Sequence, residues 1–173
     1  MADEEEVELT EEQLAEIALQ KELAERMPNL ANVADFDTLV SGDEENLVMV
    51  AALSKQCPYS NALQRPLSDL AIPRGATKHA RFYRLDVSAS PEIAQKLGIF
   101  QTPTTAWFLK GEERARHIGD GFEKISGIFR NELIKRNEEM REYDEAKLAR
   151  ERPPPAEDEE AEEGEENEED ADE

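Results

Sequence analysis

Seven consecutive apolar residues, Leu47-Val48-Met49-Val50-Ala51-Ala52-Leu53, lie between Asn46 and Ser54. A run of this length without polar alternation predicts a strand covered on both faces, since a half-exposed strand alternates. Such a strand needs a helical layer on each side of its sheet. Thr10-Glu11-Glu12-Gln13 has the form of a capping box, and Ala15, Leu19, Leu23 and Met27 follow every four residues up to Pro28. That stripe either docks the helix on the domain or offers it to a partner. Asp35 to Val40 reads as a short helix around Phe36 and Leu39, and Pro58 to Leu70 as a longer one kinked at Pro66. Ser90-Pro91-Glu92 opens a further helix, with Ser90 at N-cap, that Gly98 closes.

Ala80 to Val87 reads as a second buried strand. Thr104 to Leu109 and Arg114 to Ile118 form a hairpin across Gly111-Glu112. From Phe122 the period is helical, with Phe122, Ile125, Ile128, Phe129 and Leu133 on one face and Glu132–Arg136 at ion-pair spacing. Beyond Leu133 charges dominate, so this helix is expected to outrun its domain and stop at Pro153-Pro154-Pro155. The order predicts an α/β sandwich with a mixed sheet, flanked by an N-terminal helix and a long C-terminal helix.

The formal charge of −22 is unevenly spread over the 173 residues. Residues 1–27 carry ten acids and two bases, and residues 156–173 carry thirteen acids and no base; the stretch between is nearly neutral. This excludes an acid-coated halophilic surface, and no basic stripe suits nucleic acid. Acidic low-complexity ends of this kind are expected to be disordered. The chain opens without a signal peptide and has no run long enough to span a membrane. Its single cysteine excludes an internal disulfide framework, which suits a reducing, cytoplasmic compartment. His79, in a loop, and His117, in an edge strand, lack ligand-spaced partners and read as ordinary surface groups; no metal site is expected.

Cys57 falls where the apolar strand ends and a helix begins, a place that favours a thiolate through free N–H groups and the helix dipole. Thr102-Pro103-Thr104 follows 46 residues later. With Cys57-Pro58-Tyr59-Ser60, Arg84-Leu85-Asp86-Val87, Ala94-Gln95-Lys96-Leu97-Gly98-Ile99, Leu109-Lys110-Gly111-Glu112 and Gly119, the chain closely resembles the thioredoxin family over residues 30–137. The resemblance implies a thioredoxin-like three-layer sandwich. It implies that Pro103 is a cis proline beside Cys57, and that Thr102, with Pro58 and Tyr59, faces an extended client peptide. With composition and periodicity setting the ends, the expected organisation is a disordered acidic segment 1–9, an amphipathic helix 10–29, the thioredoxin-like domain 30–137, a charged helical extension with its Pro stop 138–155 and a disordered acidic tail 156–173.

The sequence departs from that family at three functional positions. Ser60 stands where the resolving thiol belongs, Ala51 where a buried acid serves proton transfer, and Gln56 where a tryptophan is usual. A hydroxyl cannot attack a mixed disulfide, so the dithiol cycle is not available. Three readings follow. In the first, the domain is a protein-binding or scaffold module of a cytosolic complex, with the partner at the Cys57/Pro103 groove and the terminal helices. In the second, Cys57 is a monothiol nucleophile forming mixed disulfides with protein or glutathione. Cys-Pro-Tyr-Ser preceded by Ser54-Lys55 also resembles some glutaredoxins, although Thr102 replaces the valine usual there. In the third, the chain is an acidic-tailed, chaperone-like factor. No cofactor is expected, glutathione entering only under the second reading, and neither nucleic acid nor membrane is an expected partner.

Overall fold

The apolar run forms β1 (Leu47–Leu53), every residue of it buried. In this computed structural model, which describes residues 10–151, β1 has a neighbour on each side in a sheet ordered β2-β1-β3-β4. It pairs in parallel with β2 (Ala80–Asp86), from Leu47 opposite Ala80 to Leu53 opposite Asp86. On its other side it pairs antiparallel with β3 (Thr104–Leu109), Val48 facing Phe108 and Ala52 facing Thr104. β4 (Glu112–Ile118) completes the hairpin, with a register irregularity at Trp107/Phe108. Gly111 makes the turn at φ +78°, where a side chain is disfavoured and a Cβ would meet the Ser41 carbonyl at 3.0 Å.

The strand period divides β1 between two cores. Met49, Ala51 and Leu53 join Phe82 and Trp107 under α1 (Glu11–Arg26), α3 (Pro58–Leu70) and α5 (Phe122–Glu151). Val48, Val50 and Ala52 join Leu85 and Phe108 under α2 (Val33–Phe36) and α4 (Pro91–Lys96). The mixed sheet with helices on both faces is the arrangement that the continuous apolar strand requires.

α1 opens on the expected capping box: Thr10 Oγ1 accepts from Gln13 N–H at 3.3 Å, and Gln13 Oε1 accepts from Thr10 N–H at 2.9 Å. Its stripe docks from Leu19 onward, Leu23 and Met27 being fully buried, while Ala15 stays exposed. Past Met27 the chain reaches the outer edge of β2, where Leu30 N–H donates to Arg84 C=O (2.8 Å) and Arg84 N–H to Pro28 C=O (2.9 Å).

Three local expectations are corrected. The helix expected around Phe36 and Leu39 starts at Val33, because Asn32 caps it by accepting from Asp35 N–H (2.9 Å), and it widens into a π-helical turn over Asp37–Ser41. The wider turn carries Val40 into the core with Phe36 and leaves Leu39 outside. Ser90 stands at the N-cap of α4 without capping it, since its hydroxyl donates instead to the carbonyls of Leu30 and Ala31. The Glu132–Arg136 pair does not form. Glu132, 6% exposed, accepts from Lys135 at 2.6 Å and faces Arg114 of β4, while Arg136 donates to the Glu45 carbonyl at 2.7 Å.

α5 runs unbroken over 30 residues, about 45 Å at 1.5 Å per residue. Ile125, Phe129 and Leu133 are buried, with Phe122 and Ile128 partly so. Beyond the core it leans on the β3–β4 hairpin through a Glu139–Arg114 ion pair and through Lys110 Nζ, 5.8 Å from the centre of the Tyr143 ring. Residues 141–151 are exposed throughout. The expected acidic segments 1–9 and 156–173 and the stop at Pro153-Pro154-Pro155 lie outside the described residues. No helix among the described residues is long and apolar enough to cross a membrane.

Candidate functional site

A parallel strand pair delivers its carboxyl ends to one end of the domain, and α3 starts there. Cys57 is the N-cap of α3, with extended φ/ψ (−97°, 113°), and Pro58 takes the first helical position. Pro at that position lacks only an N–H that the helix leaves unbonded anyway. The helix continues through Pro66 to Leu70. The Thr102–Pro103 peptide is cis, and the Cys57 Sγ lies 3.4 Å from the Thr102 carbonyl, to which the thiol donates. Cys57 and Thr102, 45 residues apart in sequence, are therefore in direct contact.

Ser60 lies one turn into α3 and is completely buried. Its hydroxyl accepts from Ser54 N–H at 3.2 Å, closing the strand-to-helix corner over Cys57. The Cys57 thiol is held below its ordinary pKa chiefly by hydrogen bonding from the Ser60 hydroxyl and then from the Ser60 amide. Partial burial opposes this, and the Thr102 side chain and the Tyr59 amide add to it. A depressed pKa enlarges the thiolate fraction at neutral pH, and thiolate is the reacting form. Ser60 thus supports ionisation of Cys57 while having no sulfur with which to form a disulfide.

Behind the motif, Ala51 is fully buried on β1 directly opposite Thr105 of β3. The Thr105 hydroxyl is buried without a partner among the described residues. Gln56 is exposed and only its amide is engaged, with the Ser54 hydroxyl at 3.4 Å.

The rim is more apolar than the sequence suggested. Tyr59 is 63% exposed, and Phe100, three residues before the cis proline, is 91% exposed. Ile118, opposite Thr104 in the hairpin, is 56% exposed. Phe100 was legible as an aromatic falling between the end of α4 and the start of β3, outside any buried period. On the other flank of α3 a groove of about 920 Å³ runs beside α1, with Ala15 and Leu19 on one wall, Asn61 and Gln64 on the other, and Lys55 and Asp86 at its end. Leu14 and Ile17 of α1 are also more than half exposed.

Both histidines are half-buried, not open surface groups. His79 belongs to a 3₁₀ turn, Gly75–His79. His117 points to the helix-covered face of the sheet, where a Cβ on Gly121 would lie 3.3 Å from its Nε2. Among the described residues no group of three or more His, Cys, Asp or Glu side chains is placed to hold a metal ion.

No protein-family model matches the chain. It is 28% identical over 89 residues to glutaredoxin 3 of Danio rerio, an alignment covering 51% of this chain and 26% of that protein. The match thus spans about a quarter of that relative's length. Solved thioredoxins superpose on the chain. That of Trypanosoma brucei brucei has a TM-score of 0.57 at 21% identity, covering 63% of this chain and 91% of that one. That of Fasciola hepatica has a TM-score of 0.56 at 22% identity, covering 60% and 96%. Mitochondrial thioredoxin 3 of Saccharomyces cerevisiae has a TM-score of 0.55 at 21% identity, covering 61% and 94%. The chain has the thioredoxin-like fold.

Proposed function

We propose that this chain is an atypical, cytoplasmic thioredoxin-like protein that holds a protein partner in the groove beside Cys57 and Pro103 and does not turn over disulfides. The observation that carries this reading is the buried Ser60 hydroxyl. It occupies the resolving position while the client-facing parts remain in place: Cys57 against Thr102, the cis Pro103, and the exposed Tyr59 and Phe100. An extended peptide lying along Thr102 gains main-chain hydrogen bonds, and its side chains meet an apolar rim. The exposed Leu14 and Ile17 of α1 add a second apolar contact, apart from the groove that Ala15 and Leu19 line.

The monothiol reading keeps one specific support, the hydrogen bonds that lower the Cys57 pKa. In that chemistry the Cys57 thiolate attacks a disulfide sulfur. It forms one mixed disulfide and expels the other sulfur as a thiolate, and glutathione then supplies the second thiol.

Insulin reduction driven by NADPH and thioredoxin reductase separates these readings from dithiol catalysis, because that reductase acts on a disulfide that one cysteine cannot form. The natural chain is expected to show no turnover, and Ser60→Cys is expected to gain it. Sustained turnover by the natural chain would sink both readings. A glutathione-coupled disulfide assay that is active with the natural chain and silent with Cys57→Ser would replace the first reading by the second. Under the first reading, partners captured in reducing buffer survive Cys57→Ala and are lost with Phe100→Ser, whose exposure leaves the fold intact.

A further inference from the structure

Between Asp69 and Asp86 the chain has no acidic residue, in a protein that carries 42 of them. The same stretch contains Arg74, Lys78, Arg81 and Arg84 together with His79. Arg84 is half-buried, its guanidinium donating to the Met27 carbonyl at 3.0 Å. Arg74, Lys78 and Arg81 are exposed, and none makes an ion pair among the described residues.

These cations sit on an ordered turn. The Thr77 hydroxyl accepts from Arg74 N–H at 2.6 Å and donates to the Ile72 carbonyl at 2.9 Å, and Arg81 donates to the carbonyls of Lys78 and Ala80. Arg136 of α5 adds its charge from the neighbouring helix. His79 is held below its ordinary pKa by burial first, and then by the positive charges of Arg136, Lys78 and Arg81. The turn leads into the start of β2, whereas Cys57 follows the far end of β1, parallel to it. The end of the domain opposite its thiol therefore carries these exposed cations, next to the acidic run Asp43-Glu44-Glu45 ahead of β1, which forms no ion pair with them among the described residues.

The segment 156–173, with thirteen acids and no base, is the electrostatic complement of these cations. α5 passes the patch at Arg136 and ends at Glu151, about 22 Å further on at 1.5 Å per residue. Residues 152–164 can span up to roughly 43 Å at ~3.3 Å per residue, about twice the return distance. We propose that the acidic segment 156–173 engages Arg74, Lys78 and Arg81 of its own chain, making this turn an acidic-peptide site with a tethered occupant. The contact is long-range and exposed, so salt weakens it. It leaves the Cys57 groove free, and it stands whether or not that groove holds a partner.

Zero-length carbodiimide coupling of the full chain tests this, since it joins an amine to a carboxylate only where the two already touch. Links from Lys78 to acids of residues 157–173 are expected in the monomer at about 20 mM salt, falling about fivefold at ~0.5 M salt as the screening length shortens. The same loss is expected in Arg74→Gln/Arg81→Gln, which keeps the Lys78 amine. The Lys135–Glu132 link, between groups 2.6 Å apart inside the domain, serves as the internal control, and circular dichroism verifies the fold of the variant. Absence of Lys78 links where the control link forms would overturn the proposal. So would links indifferent to salt and to the substitutions, and links confined to a dimer would assign the site to a second copy instead.

Discussion

Replacing Ala51 by Asp puts a carboxyl back into the protein interior behind Cys57, and the outcome follows from how dry that place is. Ala51 is fully buried, its strand is apolar on both sides, and the polar group opposite it in register is the Thr105 hydroxyl. Burial raises a carboxyl pKa by up to ~3–5 units, and one hydroxyl hydrogen bond worth about 1 kcal/mol returns less than one unit. A folded pKa near ~7, against ~3.9 unfolded, follows. The folded state then binds the proton more tightly, so stability falls as pH rises from the unfolded pKa through the folded one. The ionisation penalty is about 2 kcal/mol at pH ~5.5 and about 4 kcal/mol at pH ~8.

Urea denaturation of Ala51→Asp, followed through the buried Trp107 and referenced to Ala51→Asn, isolates this quantity. The asparagine has the same bulk and cannot titrate, so the overpacking of the site cancels. The gap between the two variants is expected to widen by about 2 kcal/mol over that pH range. Parallel pH profiles for the two variants would show that water reaches the site, and the account of Ala51 as a dry, fully buried position would be wrong.

Removing the Ser60 hydroxyl with Ser60→Ala takes away the leading stabiliser of the Cys57 thiolate. The pH midpoint of iodoacetamide alkylation is expected to move upward and the rate at neutral pH to fall; an unchanged midpoint would remove Ser60 from the site's electrostatics. Leu23→Ala empties a fully buried position where α1 meets the core, and a loss of about 2–5 kcal/mol in urea denaturation is expected. A loss under about 1 kcal/mol would mean that α1 is not docked through this residue.

Much of the framework was legible because its signals are local. A strand covered on both faces must be apolar at every position, and Leu47–Leu53 is. The Thr10–Gln13 box joins residues three apart, and Pro91 and Pro58 mark first helical positions through a property of the ring itself. The juxtaposition of Cys57 with Thr102-Pro103 was an expectation of the resemblance and of no local signal; in the structure the Cys57 Sγ lies 3.4 Å from the Thr102 carbonyl.

What the sequence by itself determined is therefore the periodicity, the Thr10–Gln13 cap and the chemical inventory at Cys57, Ser60 and Ala51. Choice of partner was decided in three dimensions. Glu132 and Arg136 have ideal spacing for each other, yet bond Lys135 and the Glu45 carbonyl, because α5 presses this face against the hairpin and the start of β1. Ser90 leaves its helix to tie down Leu30 and Ala31, residues about 60 positions away. Ser60 could have been an exposed helix residue by sequence; packing buries it and turns its hydroxyl to the Ser54 amide. A polar group removed from water bonds whichever partner the packed elements bring within reach, and sequence separation does not enter that choice.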